Sequence, residues 1–412
     1  MLRKFGLTLC LLLAASWTMA GEFYFYGETD KNPLEYKPGE EMVFTVQLLE
    51  DGKPVSGKTL KWTRRGDDGQ TVSGEAVSDE PLVVKTSMET PGFVHLNVTG
   101  FDAEKKPLKN GEKNAPSFDG GAGVRLSEIQ GWPEPADFDA YWNGQKAKLA
   151  EVPMTVEKVE VDCGNPNVRC WDVKVACWGG APVSGYLCIP KDAAAKSLPA
   201  SVSYHGYGFS GANKRPSGNS ITFDINAHGF LNGQPKEYYD NLSKTTLKGY
   251  AFHKQENEKP ETAYFNGMFL RVIRSLQFVK SLPEWNGKDL SVSGGSQGGL
   301  QCLAAAGLDT DVTACHAVVP WCCDLSGKAK QNRLGGWFPE WTDALGYFDA
   351  ANHAKRIRGK TTITVGLGDY VCPPSSEIVL FNNLKCEVNL TFFQGKTHGY
   401  NMPNAKSYML KK

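Results

Sequence analysis

Leu290-Ser291-Val292-Ser293-Gly294-Gly295-Ser296-Gln297-Gly298-Gly299 is the stretch that decides the fold. A strand-like run meets a Gly-x-Ser-x-Gly turn, and the residues from Leu300 to Gly307 continue as a helix. A serine in such a turn sits in a strained backbone conformation that presents its hydroxyl, and glycines two before and two after remove side chains that would collide with it. In a chain with 44 glycines the string alone also reads as an ordinary turn. The strand before it and the helix after it favour a nucleophile elbow with Ser296 as the nucleophile.

Working outward, an elbow serine needs a base and an orienting acid, which in this architecture follow it in the chain as acid, then histidine. Asp369, in Gly366-Leu367-Gly368-Asp369-Tyr370, follows the apolar strand Thr361 to Val365, at the carboxyl edge where open α/β sheets keep their sites. His398, in Thr397-His398-Gly399-Tyr400, follows the strand-like Asn389 to Phe393, one helix and one strand beyond Asp369. A turn aspartate and a surface-loop histidine are the blander readings. An oxyanion hole is expected from the amide of Gln297 and from the loop His205-Gly206-Tyr207-Gly208, where the Tyr207 amide is the second donor. His228, after the strand ending at Ile225, is expected to line the site, though it precedes the serine and is not the base. Trp321, with Tyr207, Phe209, Cys322 and Cys323, is a candidate wall for substrate, against the alternative of core packing. The other histidines, His95, His253, His316 and His353, read as packing or surface residues.

Strands and helices alternate from Asp137-Phe138-Asp139-Ala140-Tyr141-Trp142 to the C-terminus, with a clear amphipathic helix over Tyr264 to Leu282. The predicted fold is therefore α/β, a doubly wound, mostly parallel sheet of α/β-hydrolase type. Ahead of it, Glu22 to Asp102 carries short strands and polar turns, such as Met42 to Leu48 followed by Asp51-Gly52, and predicts a small all-β, immunoglobulin-like sandwich. Expected boundaries are a leader at 1–20, the sandwich at 21–112, a glycine-rich linker at 113–130 and the catalytic domain at 131–412. With no evident stripe of exposed aromatics, the sandwich is expected to act as a spacer or in packing.

Lysine plus arginine and aspartate plus glutamate are equal at 45 each, so nothing favours nucleic acid as a partner. Arg3 and Lys4, an apolar run from Leu7 to Ala15 and Thr18-Met19-Ala20 read as a secretory leader cleaved near Ala20, giving an exported protein, periplasmic or secreted. That run is too short to span a bilayer. Of 11 cysteines, Cys10 leaves with the leader, and the even remainder suits disulfides in an oxidising compartment. Cys163 with Cys170, and Cys177 with Cys188, are the candidate pairs. No Cys/His cluster has zinc spacing, so no metal site is expected.

Trp132-Pro133 with Asp137 to Trp142, the His205 to Gly208 loop, Gly294 to Gly299, and Gly366 to Asp369 followed by Pro373-Pro374-Ser375 together resemble the acetyl xylan esterase and cephalosporin C deacetylase family, carbohydrate esterase family seven. The resemblance covers roughly Gly131 to Tyr400. It implies Ser296, Asp369 and His398 as the triad and the Tyr207 and Gln297 amides as the oxyanion hole. Two signatures differ: the family's Arg-Gly-Gln is replaced by Ala227-His228-Gly229, and its terminal His-Glu reads His398-Gly399. The family's minimal form implies ring-like hexamers, so a homo-oligomer is one expectation and its blockage by the added N-terminal domain the other. The expected activity is removal of acetyl groups from carbohydrate, acetylated xylan or xylo-oligosaccharides, without cofactor. The alternatives are a serine hydrolase of other esters or peptides, and a carbohydrate-binding relative that lost turnover.

Overall fold

A computed structural model describes residues 22–110 and 115–412, so the expected leader lies outside the described residues. The N-terminal part holds eight strands: β1 (Phe23–Thr29), β2 (Met42–Glu50), β3 (Lys53–Pro54), β4 (Thr59–Gly66), β5 (Thr71–Val77), β6 (Leu82–Thr86), β7 (Gly92–Phe101) and β8 (Ser117–Val124). They form two four-stranded antiparallel sheets, one with β1, β3 and β6 around β2, the other in the order β5-β4-β7-β8. Phe44, Val46 and Leu48 of β2 face Val94, Leu96 and Val98 of β7 in one apolar core, as period-two alternation requires. The Asp51-Gly52 turn takes φ of 49° and 81°, the left-handed pair that a two-residue hairpin needs.

The chain then continues through helix α1 (Phe138–Ala150) and strands β9 (Val156–Val161), β10 (Val168–Val175), β11 (Val183–Pro190), β12 (Leu198–Tyr204) and β13 (Ile221–Asn226). Helices α2 (Lys236–Lys244) and α3 (Tyr264–Lys280), strand β14 (Trp285–Gly295), helix α4 (Gln297–Leu308) and β15 (Ala314–Val318) follow. The last elements are α5 (Gly327–Gln331), α6 (Ala350–Ala354), β16 (Lys360–Gly366), α7 (Pro374–Asn383), β17 (Val388–Phe393) and β18 (Ser407–Lys411). Ten strands make one sheet in the order β18-β17-β16-β15-β14-β12-β13-β11-β10-β9, parallel from β13 to β17 and antiparallel at both flanks. The chain leaves β12 for β13 on one side and returns to β14 on the other. The carboxyl ends of β12 and β14 therefore meet at a switch point, where crevices form in open α/β sheets. Among the described residues no helix is long and apolar enough to cross a membrane.

Two expectations are corrected. The expected linker contains a strand: Ser117–Val124 pairs with β7 along its length and completes the second N-terminal sheet. Its glycines are demanded by close approach, since a Cβ on Gly121 would lie 2.8 Å from the carbonyls of both Leu367 and Val94. The cysteines juxtaposed also differ from the expected pairs. Cys170 of β10 is the register partner of Cys188 of β11, with sulfurs 2.9 Å apart, whereas Cys163 donates to the Asn165 and Val168 carbonyls. No two cysteines among the described residues are at disulfide-bonding distance.

Candidate active site

Strand β14 ends at Gly295 and α4 begins at Gln297, leaving Ser296 alone at the corner with φ 55° and ψ −120°. Three glycines allow that corner. A Cβ on Gly294 would come within 2.4 Å of the Gly298 backbone, one on Gly298 within 2.3 Å of the Tyr204 carbonyl, and one on Gly299 within 2.8 Å of Pro320. The Ser296 amide donates to the Val318 carbonyl at 2.9 Å and its own carbonyl accepts from Leu300 and Trp321, so the strained residue is tied on both sides. This is how a costly backbone conformation persists.

The side chains of Ser296, His398 and Asp369 lie in one hydrogen-bonded line. His398 Nε2 is 3.0 Å from Ser296 Oγ, and His398 Nδ1 is 2.9 Å from Asp369 Oδ2. Asp369 is fully buried, and its other oxygen accepts the amides of Val371 and Cys372, each at 2.9 Å. Two amides and an imidazole thus hold the carboxylate in place, so Asp369 reads as more than a turn residue. The orientation leaves Nε2 of His398 toward the hydroxyl, an arrangement that can take a proton from a serine as it attacks.

Residues beyond the sequence expectation surround this line. Glu377, at the start of α7, is fully buried, and burial together with the Asp369 charge pushes its carboxyl well above the ordinary carboxylate range. The Cys372 sulfur forms with Asp369 and His398 a group of donors within 4.8 Å of one another. Burial pushes that thiol well above its usual range, and the other two groups are engaged with each other and Ser296, so the set fits a proton relay better than a metal.

The loop after β12 passes directly beside the elbow: a Cβ on Gly206 would sit 3.5 Å from the Gly295 carbonyl and 3.9 Å from the Ser296 Cβ. Tyr207, next in the chain, stacks on Tyr250 at 4.2 Å, and the Gly208 amide donates to the Tyr250 hydroxyl at 3.0 Å. Gln297 opens α4, where first-turn amides have no partner within the helix. The loop has a second anchor that the sequence reading missed. His205 bonds the carboxylate of Asp224, which is fully buried on β13 and also accepts Arg215 Nε at 2.5 Å and the Asn213 amide at 2.8 Å. The available signal was an aspartate inside the apolar run Ile221 to Ile225, because a buried charge must be paired.

His228 lies under this loop. It bonds the Gly208 carbonyl through Nε2 at 2.9 Å and the Tyr264 hydroxyl through Nδ1 at 2.6 Å, stacked against Phe209 and Phe230. Since a carbonyl only accepts, Nε2 carries the proton and Nδ1 accepts from the tyrosine. Trp321, Cys322 and Cys323 are each fully buried. Trp321 donates from Nε1 to the Trp337 carbonyl at 2.6 Å and stacks beneath that ring, so the aromatic face presented at this wall is Trp337, 45% exposed and 4.8 Å from the Tyr207 ring.

A sequence profile described as acetyl xylan esterase (AXE1) matches residues 126–332 and 340–411. The acetyl esterase Axe7A of Xylanibacter ruminicola is 29% identical over 419 residues, spanning 92% of this chain and 90% of that protein. Two solved structures share the fold at 24% identity: the acetyl xylan esterase from Paenibacillus sp. R4, with a TM-score of 0.55 over 67% of this chain and 94% of that one, and acetyl xylan esterase 1 from Thermoanaerobacterium sp. JW/SL YS485, with a TM-score of 0.53 over 68% and 94%.

Proposed function

The chain belongs to the acetyl xylan esterase family, and from that premise we propose that this carboxylic ester hydrolase removes acetyl groups from xylan or xylo-oligosaccharides through a Ser296-His398-Asp369 acyl-enzyme cycle. The observation that carries the reading is the unbroken line of bonds, 3.0 Å from Ser296 Oγ to His398 and 2.9 Å from His398 to Asp369. His398 takes the serine proton as Oγ bonds to the acetyl carbon. The developing oxyanion rests on the Tyr207 and Gln297 amides, and the carbon–oxygen bond to the sugar breaks as His398 returns the proton to the departing hydroxyl. Water repeats the sequence and releases acetate. The sheet is read as that of an α/β-hydrolase and the paired N-terminal sheets as an immunoglobulin-like sandwich; the leader-like start supports export to the periplasm or beyond.

His228 and Trp321 act in this reading at one remove, as supports of the oxyanion loop and of Trp337, not as surfaces for sugar. The test is acetate release from acetylated xylo-oligosaccharide and from an aryl acetate, wild type against Ser296→Ala. The variant is expected to lose roughly 10⁴-fold or more in kcat/KM on both substrates. Turnover of aryl acetate without sugar acetate discards the carbohydrate assignment, and an unimpaired variant discards the mechanism.

A further inference from the structure

A cleft of about 650 Å³ opens beside His398, between the first N-terminal sheet and the loop that carries the histidine. Phe23 and Tyr24 of β1 and Asn110 line one wall, and Thr397, Gly399 and Tyr400 line the other. Thr397 and Gly399 flank His398 in the chain, so the cleft runs along the backbone that carries the histidine bonded to Ser296 Oγ. We propose that this cleft is a glycan subsite that holds the uncharged backbone of an acetylated xylo-oligosaccharide while its acetyl group lies at Ser296; the proposal rests on the esterase reading above.

Three features argue for a sugar chain. The cleft offers partly exposed aromatic rings, Phe23, Tyr24 and Tyr400, the last 42% exposed, and aromatic faces suit the C–H faces of pyranose rings. Both walls are fixed. The Asn110 side chain bonds the amide and the carbonyl of Phe23, and Thr397 and Tyr400 bond each other twice, from the Thr397 amide to the Tyr400 carbonyl and from the Tyr400 amide to the Thr397 hydroxyl. The volume lies in the range of roughly 300–1,000 Å³ typical of ligand sites and far exceeds what an acetyl group needs.

The cleft also explains a departure from the family pattern. Where the family motif places glutamate after the terminal histidine, this chain has Gly399, and a Cβ there would meet nothing within 4 Å. The missing side chain opens the cleft toward β1. The N-terminal sandwich then contributes a substrate wall, beyond the spacer or packing role expected for it.

The experiment compares the wild type, Tyr24→Ala and Gly399→Glu as full chains on acetylated xylo-oligosaccharide and on an aryl acetate too short to reach the cleft. Gly399→Glu enters open space, so folding is not at issue for it. The expected result is a fall of about fivefold or more in the ratio of oligosaccharide to aryl kcat/KM in both variants, the order of a lost aromatic face. The fall resides in KM, with weaker competitive inhibition by unacetylated xylo-oligosaccharide. Wild-type turnover of both substrates with an unchanged ratio in both variants overturns the subsite and leaves the esterase reading standing. Wild-type turnover of the aryl ester alone overturns both.

Discussion

His228, beneath the loop that follows β12, makes the folded protein sensitive to acid. Burial among Phe209, Phe230, Tyr250 and Tyr264 pulls its pKa down to about 4, with the nearby Arg271 adding to the effect against the bond from Gly208. The folded pKa is depressed, so above pH 6.5 the ring is neutral in both states and no penalty arises. As the pH falls below 6.5 the unfolded chain takes up a proton that the folded chain refuses until about pH 4. At pH 4.5 the difference is roughly 2.5 kcal/mol, from 1.36 kcal/mol per pKa unit. The assay is urea unfolding at pH 7.5 and pH 4.5, for wild type and His228→Gln. Glutamine keeps a donor for the Gly208 carbonyl and does not titrate. His353, depressed to about 3, and the buried carboxylates, raised to about 6 at Asp349 and about 7 at Asp324, titrate in both proteins and cancel in the comparison. The wild type is expected to lose about 2.5 kcal/mol more than the variant between the two pH values. Equal losses refute the reasoning, because they mean the ring is protonated as easily in the folded protein as in the unfolded chain.

Asp224→Asn leaves His205 and Arg215 without their carboxylate and is expected to lower kcat by about ten- to a hundredfold, reaching at most the lower end of the roughly 10²–10³-fold cost of losing an oxyanion donor outright, with little change in KM; a change confined to KM contradicts the positioning role. Gly368→Ala sets a Cβ 2.1 Å from the Asp119 carbonyl oxygen, so urea unfolding should register a loss of roughly 1–3 kcal/mol from overpacking, and an unchanged midpoint would mean the two parts of the chain are not in contact there. Mild oxidation by a small disulfide reagent is expected to join Cys170 to Cys188, the facing pair on β10 and β11; a peptide map that instead joins Cys163 to Cys170 or Cys177 to Cys188 restores the pairs expected from sequence.

What was legible in the sequence was whatever one local rule governs. The elbow is a steric rule within a few residues, and α3 emerged over Tyr264–Lys280 as its apolar spacing predicts. Asp369 and His398 were chosen by chain order, by their places after apolar strands and by the family resemblance, and the structure sets them in one line with Ser296. Partners supplied across the sheet were not legible. Asp224 matters because His205 and Arg215 converge on it from separate loops. Trp337 replaces Trp321 at the surface because a loop folds over the buried ring, which no spacing foretells. The glycines of β8 read as a linker because composition does not distinguish a glycine that is free from one that is crowded. Cys170 and Cys188 required the register of β10 on β11.

The loop that carries Asp369 is short and is packed against the N-terminal sheets as well as against its own sheet. From its own side the Leu367 amide bonds the Phe393 carbonyl and the Gly368 amide bonds the Lys396 carbonyl. From the other, the His95 ring stacks on Tyr370 at 3.9 Å, and Nε2 of His95 is fixed by Asp119 at 3.0 Å. Gln394, fully buried at the end of β17, closes the contact by bonding both the amide and the carbonyl of Gly121 on β8, at 2.9 and 3.0 Å. A relay that tolerates little misplacement needs its carboxylate held on more than one side. The Gln394 side chain is satisfied by the Gly121 amide and carbonyl, and losing them would leave its buried amide group unpaired at the edge of the site. The added sheets therefore bear directly on the placement of the loop that holds Asp369.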